Sequence, residues 1–295
     1  MMLMVRFVFT LCLLFLLGFS FSRFYPRIAM IARQEKPVQL QFPPAPYPLH
    51  NKSFVIAVIG KNNGAYAEKT INSILSQNYD AFRVVYIDDG STDGSASHAR
   101  DTVFAHSAAQ KVLFIQNEQS LGVIANLVRI AQDCFEDEIL VVVDGENCLA
   151  HEWVLQKLNQ YYTNPDLWMT FSKALELPSF TPLTTPPISS LAKIRSEPPS
   201  ALYLKTFYAT LFKKLHHHDL MYRGEFITEA IDFTYMTPLM EMAEGHMQYL
   251  PDTLYLVAKK EPKLTVNHAV FAQWIQEKPA YTPMAKLFSH PGECE

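Results

Sequence analysis

The chain has 295 residues, 49% hydrophobic and 18% charged, enough for one large domain with a full core, alone or with a small addition, and too apolar for disorder over most of its length. Its formal charge of −4, with no arginine or lysine stripe, argues against nucleic acid as a partner. The cysteines Cys12, Cys134, Cys148 and Cys294 form no CxxC pair, so neither a disulfide scaffold nor a zinc site organises the fold.

In chain order, the first feature is the hydrophobic stretch from Phe7 to Ser22 between Arg6 and Arg23. As a helix it spans about 24 Å, short of the roughly 30 Å hydrocarbon core, and reads as a signal peptide or a short signal anchor. Ser20-Phe21-Ser22 fits cleavage and export. Arg23, Arg27 and Arg33 follow the segment whereas only Arg6 precedes it, a bias that instead predicts an uncleaved membrane anchor with a cytoplasmic domain after it. Residues 1–36 are read as this signal or anchor segment, 37–52 as a proline-rich linker, 53–260 as the main domain and 261–295 as a C-terminal extension without clear periodicity.

Within the main domain, Phe54 to Ile59 is a short apolar run, and Ala65 to Gln77 carries apolar residues at the spacing of one helix face. Further strands are expected at Arg83–Ile87, Lys111–Ile115 and Ile139–Val143, with helices near 93–106, 121–135 and 151–162 between and after them and a strand near 167–171. This alternation predicts βαβ units, hence an α/β fold with a mostly parallel sheet flanked by helices. From Leu177 to Ser200 prolines at 178, 182, 186, 187, 198 and 199 predict a long loop. Leu202–Leu215 and Glu229–Ala243 read as helices, and Gln248–Leu250 and Thr253–Val257 as short strands.

Two of the strands end in carboxylates. Val84 to Ile87 leads into Asp88-Asp89-Gly90-Ser91, and Ile139 to Val143 into Asp144-Gly145-Glu146-Asn147. Ligands of open α/β sheets bind outside the carboxyl ends of the strands, so two acidic ends in one sheet point to a nucleotide and a divalent cation. Hard cations take oxygen ligands and bind phosphates through one or two carboxylates, which makes Asp144 and Glu146 candidate ligands of Mg²⁺ or Mn²⁺. The adjacent histidines His216, His217 and His218 point in different directions on a helix and do not chelate one ion. Trp153, Trp168 and Phe171 read as core, while His246 and Tyr249 either line a pocket or are ordinary half-buried aromatics.

Over most of residues 53–260 the chain resembles the family 2 inverting glycosyltransferases of the GT-A fold, in particular a bacterial subgroup. The resemblance rests on Val55–Ile59 with Asn62-Asn63, on Thr70 to Tyr79, on Ile87-Asp88-Asp89-Gly90-Ser91-Thr92-Asp93, on Val143 to Asn147, and on Asp232-Phe233 with Pro238 to Ala243. It implies transfer of a sugar from a nucleotide-sugar donor, a UDP-sugar first and a GDP-sugar second, to a glycan or lipid-linked acceptor. By the same analogy Asp88 and Asp89 lie at the nucleoside, Asp144 and Glu146 hold the metal, Lys205 contacts phosphate, and Asp232 is the base that takes the acceptor proton, with Glu229 as second choice. Glu146 stands where the family carries aspartate. That replacement motivates a second reading, a membrane-tethered, non-catalytic nucleotide- or sugar-binding protein. A nucleotidyltransferase is a third, for which Gly60-Lys61-Asn62-Asn63-Gly64 is a weak phosphate loop.

Overall fold

The computed structural model describes residues 51–183, 194–196, 201–259 and 266–288. The chain divides into units Met1–Pro44 and Ala45–Glu295, and every described residue belongs to the second. The expected anchor segment, almost all of the linker and much of the proline-rich loop lie outside the described residues.

Strand β1 (Phe54–Gly60) is central because both its faces are apolar: Phe54 to Val58 are fully buried. Such continuous burial suits a parallel strand covered by helices on both sides. It pairs in parallel with β2 (Phe82–Asp88) on one side and β4 (Ile139–Asp144) on the other, and β3 (Val112–Gln116) extends the parallel set beyond β2. The crossover helices are α1 (Gly64–Leu75), α2 (Ser95–Ala105) and α3 (Val123–Gln132). After β4 come the two-residue β5 (Cys148–Leu149), α4 (Val154–Tyr161) and β6 (Met169–Leu177), which turns back into β7 (Thr181–Leu183). The last two strands of the main sheet are β8 (Tyr203–Tyr208) and β11 (Met247–Ala258). The nine-stranded sheet runs β3-β2-β1-β4-β8-β6-β11-β5, with β7 beside β6. It is mixed: β8 is antiparallel to both β4 and β6, whereas β6 and β11 are parallel.

Three expectations are corrected. The helix predicted over Leu202–Leu215 is strand β8 followed by the short helix α5 (Ala209–Lys213), so Lys205 lies on a strand inside the sheet. Leu204 to Tyr208 are all buried, and a strand buried on both faces lacks the alternation that distinguishes it from a buried helix. The two short strands expected near 250 are one, β11, with register shifts on either side of Thr253 that accommodate Pro251. The strand expected near 167–171 runs on to Leu177, and β7 occupies the start of the predicted loop.

A small hairpin, β9 (Met221–Tyr222) with β10 (Glu225–Phe226), precedes α6 (Ile231–Met242). Helix α7 (Val266–Glu277) lies in the extension where sequence periodicity was weak, and packs on α6.

Candidate active site

The loops after β1, β2 and β4 meet at the carboxyl edge of the sheet because backbone pairing continues past the strands. Asp89 N–H donates to Gly60 O at 2.8 Å, Gly145 N–H to Ile59 O at 2.9 Å, and Asn117 N–H to Asp88 O at 2.9 Å. The closeness explains the glycines. A Cβ on Gly145 would lie 2.6 Å from Gly60 Cα, and one on Gly90, whose φ is +72°, would lie 2.8 Å from Ser120 N. Only glycine allows both approaches. Asn63, 4% exposed, ties the first and third loops by donating from Nδ2 to Gly145 O, which also accepts from Thr70 Oγ1 at 3.1 Å.

Asp88 is fully buried at the end of β2; its Oδ2 accepts from Ser91 N–H at 3.1 Å, and Oδ1 has no hydrogen-bond partner in the protein. Asp89 is 4% exposed and far more heavily engaged. Its Oδ1 accepts from Asn117 Nδ2 at 2.9 Å, Leu121 N–H at 2.9 Å and Asn126 Nδ2 at 2.8 Å. Its Oδ2 accepts from Ser120 Oγ at 2.7 Å and Gly122 N–H at 3.0 Å. Burial by itself would raise the carboxyl pKa, but the donors, led by Leu121 N–H and Ser120, outweigh it and hold Asp89 below the ordinary aspartate value. A carboxylate offers about four lone-pair sites. Those of Asp89 are spent on fixing the β3–α3 loop.

These loops open onto a cleft of about 550 Å³ whose wall includes Lys61, Asp89, Asp144, Glu146 and Glu176. That volume is in the range of small-molecule sites. Asp144 closes β4, where its N–H donates to the buried Tyr255 hydroxyl at 3.0 Å and its Oδ2 accepts from Asn147 Nδ2 at 2.9 Å. Asn147 in turn accepts the Ala258 N–H at 2.9 Å, so the acidic turn is anchored to β11. No group of three or more histidine, cysteine or acidic side chains suited to a metal exists among the described residues. Asp144 and Glu146 form a two-carboxylate donor set of hard oxygens on the cleft wall, which fits Mg²⁺ or Mn²⁺ bound together with phosphate oxygens.

Lys205, 7% exposed, reaches from β8 to Asp232 in the first turn of α6, with Nζ 2.7 Å from Oδ1. Burial would strip its proton, but the negative charge of Asp232, reinforced by that of Asp144, keeps its pKa well above the usual lysine value. Lys205 is therefore paired directly with Asp232, two residues that the sequence placed in separate roles. The Asp232 side chain is 46% exposed, and its neighbour Ile231 lines the cleft. Glu229 falls before the helix rather than on it, because Ala230 is the N-cap, at φ +50°.

Other candidates lie apart from the cleft. His246 stacks on Trp168 with centroids 3.7 Å apart, Tyr249 rests on Phe171, and neither lines the cleft. His216 stacks on His218 and Tyr281 and is tied to the C-terminal segment. Sequence reasoning missed Glu176 and Tyr203, which line the far side of the cleft, and Asn117 and Asn126, which hold Asp89. Asn117 directly follows an apolar strand, a signal of the same kind that marked Asp88 and Asp144.

A comparison with curated proteins finds an uncharacterized glycosyltransferase of Haemophilus influenzae, 26% identical over 122 residues, which are 41% of this chain and 36% of that protein. The aligned region is thus little more than a third of that relative's length. Among solved structures, the chain is similar to the mannosyltransferase PcManGT from Pyrobaculum calidifontis in complex with GDP-Man and Mn²⁺, with a TM-score of 0.56 and 18% identity over 90% of this chain and 76% of that one. It is also similar to S. aureus TarS 1-349 in complex with UDP-GlcNAc, with a TM-score of 0.52 and 19% identity over 72% of this chain and 60% of that one. At such identities the likeness shows the fold, an α/β GT-A arrangement. The model of the family described as "Glycosyl transferase family 2" matches residues 53–218, more than half of the chain, and the protein belongs to that family.

Proposed function

We propose that the protein is an inverting glycosyltransferase that moves a sugar from a nucleotide-sugar, a UDP-sugar in the first instance, to a hydroxyl of a glycan or lipid-linked acceptor. The observation that carries this reading is the cleft itself: about 550 Å³ at the carboxyl edge of a family 2 sheet, with Asp144 and Glu146 on one wall. The GDP-Man, UDP-GlcNAc and Mn²⁺ named with the similar structures support it. So does Phe7–Ser22, which favours a membrane-anchored protein with its catalytic domain in the cytoplasm and thus an acceptor at a membrane.

Asp144 and Glu146 would hold Mg²⁺ or Mn²⁺, which when bound supplies Lewis-acid stabilisation of the departing diphosphate. Asp89 sets the loop that meets the nucleoside, and the buried Asp88 braces the turn beside it. Lys205 offers its charge to the diphosphate end of the cleft while orienting Asp232 through Oδ1. Asp232 takes the proton from the acceptor hydroxyl as that oxygen attacks the anomeric carbon from the face opposite the leaving group.

Calorimetric titration of UDP and GDP into the full-length protein, with and without Mn²⁺, tests the reading. UDP is expected to bind in the presence of Mn²⁺, chelation with EDTA to abolish most of that affinity, and Glu146→Ala to weaken it by about tenfold or more, as expected when one of two carboxylate ligands is lost. Nucleotide binding without turnover of any donor would favour the non-catalytic reading. No binding of either nucleotide would refute the transferase reading and leave the non-catalytic one.

A further inference from the structure

The cleft is acidic apart from one residue. Its described lining carries the carboxylates Asp89, Asp144, Glu146 and Glu176, and Lys61 is the one cation among them. Lys61 is exposed and forms neither a hydrogen bond nor an ion pair with any described residue. Its neighbour Asn62, in the left-handed region at φ +54°, fixes where it emerges: Asn62 N–H donates to Ser91 Oγ at 2.9 Å, and Asn62 Oδ1 accepts from Thr92 N–H at 2.8 Å. Both partners belong to the loop after β2. Lys61 is therefore held on the β1–β2 side of the cleft, whereas Asp144 and Glu146 follow β4, on the other side of β1.

A nucleotide whose phosphates share a metal with Asp144 and Glu146 extends its ribose and base either over β1 and β2 or towards β8. The β8 side is occupied by Lys205 with Asp232, which leaves the β1–β2 side to the nucleoside. Two strand spacings, roughly 10 Å, separate β4 from β2, the reach of a ribose and its base. The turn from Gly60 to Gly64 is not a phosphate cradle, because two of the N–H groups that a cradle needs are taken, that of Asn62 by Ser91 and that of Gly64 by the Asp93 carboxylate. Nor does Asp89 have an oxygen left for the edge of a base, since both are saturated by Asn117, Ser120, Leu121, Gly122 and Asn126. Asp88, whose Oδ1 is unpartnered in the protein, is fully buried. What this side of the cleft offers a base is a donor, the Lys61 ammonium.

We propose that Lys61 reads the nucleobase of the donor and selects bases that present a keto oxygen, uracil through O4 and guanine through O6, against cytosine and adenine, which carry an amino group at that place. A lysine ammonium has donors and no acceptor, so it pairs with a carbonyl oxygen and is opposed by the hydrogens of an amino group. A hydrogen bond from a charged donor is stronger than a neutral one, and a donor facing a donor leaves both without a partner. The inference rests on the transferase reading for the presence of a nucleotide in the cleft, and it names the class of base that nucleotide carries.

Calorimetric titration of UDP, CDP, GDP and ADP into the full-length protein with Mn²⁺ tests it, because these nucleotides share the diphosphate and differ in the base. UDP is expected to bind about tenfold or more tightly than CDP, and GDP likewise against ADP. Lys61→Ala, at an exposed position, is expected to bring each pair to within about twofold, and Lys61→Arg to keep the preference. Lys61→Glu, which accepts from an amino group, is expected to reverse it. Equal binding of UDP and CDP by the unaltered protein would overturn the proposal and leave the transferase reading intact, as would a preference that Lys61→Ala retains. Weakening of every nucleotide by the same factor in Lys61→Ala would put Lys61 on the diphosphate and also overturn it. If no nucleotide binds, the proposal and the transferase reading fall together.

Discussion

Asp89 shows how one side chain can hold a site without facing outward from it. Its two oxygens receive five hydrogen bonds from Asn117, Ser120, Leu121, Gly122 and Asn126, all on the loop and helix that follow β3. Replacing it by alanine would leave several buried donors unpaired, at about 1–3 kcal/mol for each that water cannot reach. Asp89→Ala is therefore expected to lower the free energy of urea unfolding by about 3–5 kcal/mol, a loss of the size seen when a buried polar network is broken. A loss below about 1 kcal/mol would mean that the loop does not depend on this carboxylate, and would return Asp89 to a role on the ligand alone. Asp88, with one oxygen on Ser91 N–H and the other unpartnered in the protein, supports a far smaller network.

Among the elements, α6 carries the candidate base at its first turn and is clamped near its last. Arg195 grips Glu241 in bidentate fashion, Nε to Oε1 at 2.6 Å and Nη2 to Oε2 at 2.7 Å, and its Nη1 donates to Ile275 O of α7 at 2.7 Å. Tyr281 N–H also donates to Glu241, at 3.0 Å, so one buried carboxylate gathers α6, the 194–196 segment and the C-terminal region. Breaking such a pair leaves an uncompensated charge, so Arg195→Ala should cost about 3–5 kcal/mol of unfolding free energy, whereas Arg195→Met with Glu241→Leu should cost less than Arg195→Ala alone. Simple additivity of the single substitutions in a double-mutant cycle would show that the clamp is not a unit. None of this was legible in the sequence, because Arg195 and Glu241 are joined only by the tertiary fold. The parallel strands were legible: their apolar runs end in Asp88 and Asp144, and helical periodicity separates them. Strand β8 was not, since Leu204 to Tyr208 are buried on both faces and run straight into α5, which reads as one long apolar helix. With β8 misread, Lys205 lost its place beside Asp232. The β6–β7 hairpin was hidden for a related reason: its prolines read as a loop, and only the pairing of β6 with both β7 and β8 brings Glu176 and Tyr203 to one wall.

At the scale of the molecule, the buried and half-buried carboxylates whose pKa values are displaced share one sign of pH dependence. Burial would raise the carboxyl pKa values of Asp89, Glu138, Asp219 and Asp252, but hydrogen bonds and cations reverse this in each case: Arg83 at Glu138, Lys278 and Tyr281 at Asp219, Lys157 and Tyr161 at Asp252. All four lie below their unfolded values, which are about 3.9 for aspartate and about 4.3 for glutamate. The unfolded chain then binds more protons as the pH falls through that range, so the stability these groups contribute is fully present above it and is lost progressively below. His151 adds a second window with the same sign. Burial, helped by the charge of Lys157, lowers its pKa, and the unfolded histidine, at about 6.5, takes up a proton before the folded one does. Unfolding free energy measured in urea is therefore expected to be level between about pH 7 and 8, to fall gently between about pH 6.5 and 5, and to drop steeply below about pH 4.5. His151→Asn should flatten the upper segment and leave the lower one, and Asp252→Asn should reduce the slope of the lower one, since its partners Lys157 and Tyr161 lose their anion. A stability that stays constant from pH 7 to 3 would show that these carboxylates are no better accommodated in the folded chain than in water, and would remove the electrostatic case for Asp89 as the anchor of the cleft.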